Sequence, residues 1–229
     1  MNDLTILYYT ANTIPEITGQ KVRDYLLKVT ENQFPIISVS QKPLNFGQNI
    51  CVGLIGRSKY NCYKQILIGV KEVKTKYVAC AEDDTLYAMD HFAYRPREGI
   101  FSYENNMWFA EENCFWRWEN INNRSGMWGC IATTETLLNN LTTRYTLYPV
   151  DPLPNKFLFW GEPGYHDRLY GMQNRFAQFE SENPTVVFRY RESMGGFKGG
   201  RREVRTPENI TYNLESFGGI NKLWRSYWA

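Results

Sequence analysis

The stretch Tyr77-Val78-Ala79-Cys80-Ala81-Glu82-Asp83-Asp84 is a run of small and apolar residues that leads straight into three carboxylates. Its apolar part has the length and composition of a strand buried on both faces, as in a parallel sheet. Carboxylates crowded at the end of such a strand repel one another, which raises at least one pKa unless a cation sits among them. Open α/β sheets bind their ligands in the crevice beyond the carboxyl ends of the strands. A hard cation such as Mg²⁺ or Mn²⁺ prefers oxygen ligands and is commonly shared between one or two carboxylates and substrate phosphates. Glu82-Asp83-Asp84 therefore reads either as a metal site or as a solvated acidic turn.

Working outward toward the amino terminus, Leu4 to Thr10 is a second β-forming run, ending in the polar turn Ala11-Asn12-Thr13. Thr13-Ile14-Pro15-Glu16 has the spacing of a capping box with Pro in the first turn. Ile17, Val22, Leu26 and Val29 then fall at roughly helical spacing and predict a helix to Thr30. Pro35 to Ser40 is a further short strand, so the order strand, helix, strand predicts a parallel βαβ unit. Gly47 to Ser58 is a glycine-punctuated loop, and Ser58 is placed to cap a helix whose Tyr60, Tyr63, Leu67 and Val70 make one buried stripe.

Toward the carboxyl terminus, residues 91–126 mix aromatic and polar residues without a long helical period, which suggests irregular β structure or hairpins. Met127 to Thr133 reads as a strand, Glu135 to Leu141 as a short helix and Phe157 to Trp160 as an apolar strand ending at Gly161-Glu162-Pro163-Gly164. A helix is expected over His166 to Phe176 and a strand over Pro184 to Arg191. There is no internal repeat.

The 229 residues are 43% hydrophobic and 22% charged, an ordinary globular balance. Aromatics are abundant at 16% and serve either core packing or half-wet binding walls. A net charge of +2 announces no polyanion partner by itself. The excess is local: Arg189, Arg191, Lys198, Arg201, Arg202 and Arg205 face only Glu192 and Glu203 over that span. Five cysteines, with no Cys-x-x-Cys pair, argue against a zinc site or disulfide framework and for reduced thiols. Neither a signal-like start nor an apolar run of about 18 residues is present, so a cytoplasmic protein without membrane contact is expected.

The order of these features resembles GT-A glycosyltransferases, especially family-2-like ones. The residues that carry the resemblance are Leu4–Asn12 as first strand and donor loop, Pro35–Gln41 as second strand, and Gly56-Arg57-Ser58 through Val73 leading to Tyr77–Tyr87. It covers residues 4–90 well and 127–190 loosely. The resemblance implies one α/β GT-A domain over 1–229 with a mixed central sheet. Residues 1–90 would bind the nucleotide sugar, 91–190 the acceptor, and 191–229 would form a basic lid or tail. It further implies that Glu82 and Asp84 hold Mn²⁺ or Mg²⁺, with Asp83 against the ribose or sugar of a UDP-sugar donor. Thr10, Asn12 and Gln41 fall where the family contacts the nucleoside. Arg57 falls where a basic or polar residue meets the donor, or it is a surface loop cation.

Inverting members of that family need a carboxylate to take the acceptor hydroxyl proton, opposite the leaving diphosphate. Trp160–Asp167 matches the expected placement, with Glu162 first choice for the base and Asp167 second, or else a helix-terminal acid. Trp128, Gly129 and Trp160 are candidates for an acceptor wall, or for core. The family's late His ligand has no counterpart at Phe188–Arg191, so the resemblance implies either that the metal is held by fewer protein ligands or that Arg191 and its neighbours compensate the diphosphate. Ser193 to Arg205 reads as a basic lid, a track for a nucleic-acid backbone or a linker. Compactness, aromatics and this basic tail also resemble phage-type transferases that glycosylate hydroxymethylpyrimidines, making DNA with a flipped base a candidate acceptor. The alternatives are a saccharide acceptor, a nucleotidyltransferase, or a sugar- or nucleic-acid-binding module. Thr10–Pro15 lacks the glycine and basic residues of a nucleotidyltransferase loop, and a binding module has no need of Glu82, Asp83, Asp84 or Glu162.

Overall fold

Strand β1 (Leu4–Thr10) is buried at every position. In the computed structural model, which describes residues 3–117, 126–150, 161–165, 167–190 and 207–228, it is an inner strand of a seven-stranded sheet. Helix α1 (Glu16–Val29) returns the chain to β2 (Ile36–Ser40), which lies parallel to β1 with Ile6 opposite Ile36. This is the expected βαβ unit. Strand β3 (Gln48–Cys51) extends the sheet beyond β2 within the stretch read as loop. Its residues Gln48, Asn49, Ile50 and Cys51 are exposed or half-buried edge positions, so no apolar alternation marks it. Helix α2 (Lys59–Val70) is capped by Ser58, whose hydroxyl accepts the Asn61 amide at 3.1 Å. Its stripe Tyr60, Tyr63, Leu67 and Val70 is buried as expected, each side chain worth roughly 1.5–3 kcal/mol of apolar burial. Strand β4 (Tyr77–Glu82) pairs parallel with β1, Tyr8 opposite Ala81.

The chain then changes sheets. Strand β5 (Thr85–Leu86) is already part of a second, five-stranded sheet. Strand β6 (Ile100–Glu104) rejoins the first, while β7 (Met107–Ala110) and β8 (Phe115–Arg117) form a hairpin in the second. Strand β9 (Cys130–Thr133) runs antiparallel between β4 and β6. Helix α3 (Thr134–Leu147) follows and is longer than the helix expected there. Strand β10 (Arg175–Phe179) closes the first sheet, giving the order β10-β6-β9-β4-β1-β2-β3. Strands β11 (Thr185–Phe188) and β12 (Ile210–Thr211) complete the second, ordered β12-β8-β7-β11-β5. Helix α4 (Ile220–Trp228) packs against α1, with Thr18 donating to the Tyr227 carbonyl at 2.8 Å. The first sheet is the middle of three layers. Leu7 and Tyr9 pack with α2 and α3 on one face, and Leu4, Ile6 and Tyr8 pack with Leu26 of α1 on the other.

Three local expectations are corrected. The capping box does not form: Pro15 precedes α1 with no side-chain cap, and Glu16 instead pairs with buried Arg23. Ile17 is 63% exposed, because α1 turns Thr18, Val22 and Leu26 inward. Over 166–176 there is no α-helix among the described residues. A short 3₁₀ turn at Asp167–Tyr170 leads into β10. Phe157 to Trp160 lies outside the described residues.

Candidate active site

Glu82 is the last residue of β4, and Thr85 the first of β5, so Asp83 and Asp84 bridge the two sheets. The crossing is fixed from both sides. The Phe188 amide of β11 donates to the Asp84 carbonyl at 2.8 Å. The buried Tyr87 hydroxyl accepts the Glu82 amide at 3.2 Å and donates to the Trp128 carbonyl at 2.7 Å. Each acidic side chain meets a hydroxyl: Tyr9 donates to Glu82, Thr10 to Asp83, and Thr85 to Asp84 at 3.2 Å.

Hydroxyl partners do not offset the crowding. Burial pushes Glu82 up to about 7, against the Tyr9 hydrogen bond and with help from the charges of Asp83 and Glu162. Asp84 is raised well above the carboxylate range by burial and then by Glu82 and Asp83. Asp83 is also raised by burial, although Thr10, its own amide, Arg57 and Arg23 oppose the shift. No Lys or Arg among the described residues forms an ion pair with Glu82 or Asp84. Among the same residues no three His, Cys, Asp or Glu side chains converge as a ready-made metal cage. A Mg²⁺-type site needs no such cage, since substrate phosphates and waters complete its shell. Two uncompensated carboxylates fit that donor set.

The structure brings Thr10, Asn12, Gln41 and Arg57 to the same end of the sheet, though Thr10, Asn12 and Gln41 largely engage one another. Asn12, at φ 53°, accepts the amides of Gln41 and Lys42 at 2.8 and 2.9 Å, and its own amide donates to the Thr10 hydroxyl at 2.8 Å. The Gln41 carboxamide donates to the Gly56 carbonyl at 2.9 Å and accepts its amide at 3.1 Å, which ties the loop before Arg57 to β2. Gln65 completes the frame, donating to the Thr10 and Val39 carbonyls at 2.8 and 3.0 Å. Sequence reasoning missed Gln65, Tyr9 and Arg23. For Gln65 the only signal is a polar residue inside an apolar helix, and for Arg23 there is none. Tyr190, just beyond β11, is raised by burial and then by the nearby charges of Asp84 and Asp83. Arg191 and the basic segment 193–205 lie outside the described residues.

Glu162 is close enough for its charge to act on Glu82. Its charge is felt at Glu82, Cys62, Tyr63, Tyr103 and Cys130, and it is half-buried. Asp167 is placed differently from the second-choice base expected there. Both its carboxylate oxygens are occupied, one by Arg144 at 2.9 Å and the other by Asn140 at 2.7 Å and the Gly164 amide at 2.8 Å. The side chains of Asp167 and Arg144 are both 0% exposed, so this acid has no access to a substrate. Trp128 is half-buried, its indole N–H 3.0 Å from the Met107 sulfur and its ring edge-on to Phe109. Phe109 stacks on Trp116 with centroids 4.6 Å apart, and Gly129 is buried against Glu104. Trp160 lies outside the described residues.

No protein-family profile matches the chain, and neither does any curated protein sequence. Solved structures do. A glycosyltransferase involved in glycosylating the major capsid of PBCV-1 superposes with a TM-score of 0.51 at 10% identity, over 81% of this chain and 92% of that one. A nucleotidyl transferase from Methanothermobacter gives 0.46 at 12% identity, over 80% and 89%. The glycosyltransferase GlyE of Streptococcus pneumoniae gives 0.46 at 13%, over 76% and 44%. At such identities what is shared is architecture: the chain has the mixed-sheet α/β fold of the GT-A type.

Proposed function

We propose that this protein is a nucleotide-sugar-dependent glycosyltransferase. The observation that carries this is the pair Glu82 and Asp84, held uncompensated where the chain passes between sheets, with the carboxylate of Glu162 nearby. In this reading Glu82 and Asp84 hold Mn²⁺ or Mg²⁺. A bound metal supplies charge neutralisation at the departing diphosphate. Asp83, set by Thr10, orients the ribose or sugar, and Arg57 lies on the same side for the diphosphate. The Asn12–Gln41–Gln65 frame fixes the loop at the nucleoside end. Glu162 takes the proton of an acceptor hydroxyl as that oxygen bonds to the anomeric carbon. The bond from that carbon to the diphosphate oxygen breaks, the nucleoside diphosphate leaves, and the carbon inverts.

Nucleotidyl transfer is less well supported, because the turn after β1 uses Asn12 to hold Gln41 and Lys42 and offers no glycine or basic residue for a phosphate cradle. For the acceptor, the half-buried ring of Trp128, edge-on to Phe109, suits a substrate with a flat or apolar face. A hydroxymethylated pyrimidine in DNA is the finer proposal. The test is a thermal-shift panel of UDP-, GDP- and CDP-sugars with and without Mn²⁺. Radiolabel transfer follows, to saccharides and to DNA carrying hydroxymethyluracil or hydroxymethylcytosine. A Mn²⁺-dependent shift with one nucleotide, lost in Asp84→Ala, is expected. Transfer to saccharide alone removes the DNA acceptor, and turnover only with nucleoside triphosphate plus sugar phosphate overturns the glycosyltransferase reading.

A further inference from the structure

Arg144 and Asp167 form an ion pair fully enclosed by protein. Such pairs add little net stability, since two well-packed apolar side chains of similar volume do as well or better. Their hydrogen bonds show a different use. Arg144 Nη1 donates to the Gly161 carbonyl at 2.8 Å, and Asp167 Oδ2 accepts the Gly164 amide at 2.8 Å. Tyr103, from β6, donates to the Pro163 carbonyl at 2.7 Å. Asn140, one turn before Arg144 on α3, holds the same Asp167 oxygen at 2.7 Å. Gly164 sits at φ 86°, where an added Cβ would lie 2.8 Å from the Arg175 carbonyl, and Tyr165 stacks on Phe176 with centroids 3.9 Å apart. The peptides on both sides of Glu162 are thus fastened to α3, β6 and β10. No hydrogen bond or ion pair restrains the Glu162 carboxylate among the described residues.

We infer that Asp167, Arg144 and Tyr103 are positioning residues that fix the backbone around Glu162 and so aim its carboxylate at the acceptor hydroxyl. The inference rests on the glycosyltransferase reading for its catalytic consequence, and on hydrogen bonds alone for its structural one. A base misplaced by about 1 Å can cost about 100-fold in rate. Asp167→Asn keeps the shape of the side chain and removes the charge that Arg144 and the Gly164 amide require. Tyr103→Phe keeps the buried ring and removes the hydroxyl that bonds Pro163, together with that hydroxyl's weaker contacts to the Met127 and Cys130 sulfurs.

The experiment measures transfer kinetics and amide hydrogen exchange on the full chain. Asp167→Asn is expected to lower kcat about 10- to 100-fold and Tyr103→Phe about 3- to 10-fold, with donor KM and the Mn²⁺–UDP thermal shift within about twofold of wild type. Exchange at Gly164 and Tyr165 should quicken in both. Should Asp167→Asn fail to fold, Tyr103→Phe decides alone. An unchanged kcat in a variant whose exchange has quickened overturns the catalytic part, and unchanged exchange overturns the whole. If wild type transfers no sugar at all, the functional reading fails and exchange alone judges the loop.

Discussion

Two groups of buried acids in this chain are treated in opposite ways. Asp167 lies among Arg144, Asn140 and a backbone amide, and Glu104 accepts the amides of Asn105, Asn106 and Ser181 at 3.0, 2.8 and 3.1 Å, beside His91 at 3.2 Å. Burial alone would raise Glu104, yet His91 and those amides outweigh it and hold its carboxyl below the ordinary value. Glu82 meets the Tyr9 hydroxyl, and Asp84 the Thr85 hydroxyl and its own amide, both lie among further acids, and both are pushed up by burial. The same fold satisfies Asp167 and Glu104 with amides and cations and leaves Glu82 and Asp84, at the end of a buried strand, without a Lys or Arg ion pair among the described residues. Matched acids hold the fold together. In the proposed reaction the unmatched acids do the chemistry.

The largest effect that could break this contrast comes from Asp84. Asp84→Ala should abolish Mn²⁺-dependent turnover by about 1000-fold, while the metal-free protein gains about 1 kcal/mol because a repelling charge is gone. Urea unfolding with and without EDTA measures the second part. An Asp84→Ala protein less stable than wild type without metal would mean that this acid is structural after all. Asp167→Ala should do the reverse. It leaves Arg144 buried without its partner and should cost about 3–5 kcal/mol, with or without Mn²⁺. A loss below about 1 kcal/mol would remove the distinction between the two groups.

The contrast also explains what could be read from sequence. Strand β4 and its acids were legible because small apolar residues abut three carboxylates with nothing between. The stripe of α2 was legible for the same local reason. Asp167 was not, since its meaning depends on Arg144 and Asn140 in a helix that only tertiary folding brings near. Arg23 and Gln65 sit among apolar neighbours and reveal nothing of the polar groups they meet. Strand β3 lacks alternation because it is an exposed edge. Helix α4 does carry apolar residues at 220, 223, 224, 227 and 228, but the basic segment before it makes the whole tail read as a lid.

The smallest effect sharpens the contrast by its sign. Glu82 titrates near 4.5 in the unfolded chain and about 7 in the folded one, so the folded state binds the extra proton between those values. Its stabilising contribution is complete below about pH 4.5 and is lost as pH rises through about 7, a change of about 2 kcal/mol once partial exposure is allowed for. Glu104 runs the other way: its contribution is present above about pH 4.5 and disappears as pH falls through its lower folded value. Metal-free protein followed by urea unfolding from pH 4 to 8 should therefore lose stability across the upper window. Glu82→Gln should make that limb shallower, leaving the part that Asp84 and Asp83 contribute, and leave the acid limb untouched, and Mn²⁺ with UDP should erase the upper limb in wild type. An upper limb that survives Glu82→Gln unchanged would place the unmatched proton on another group and detach Glu82 from the site.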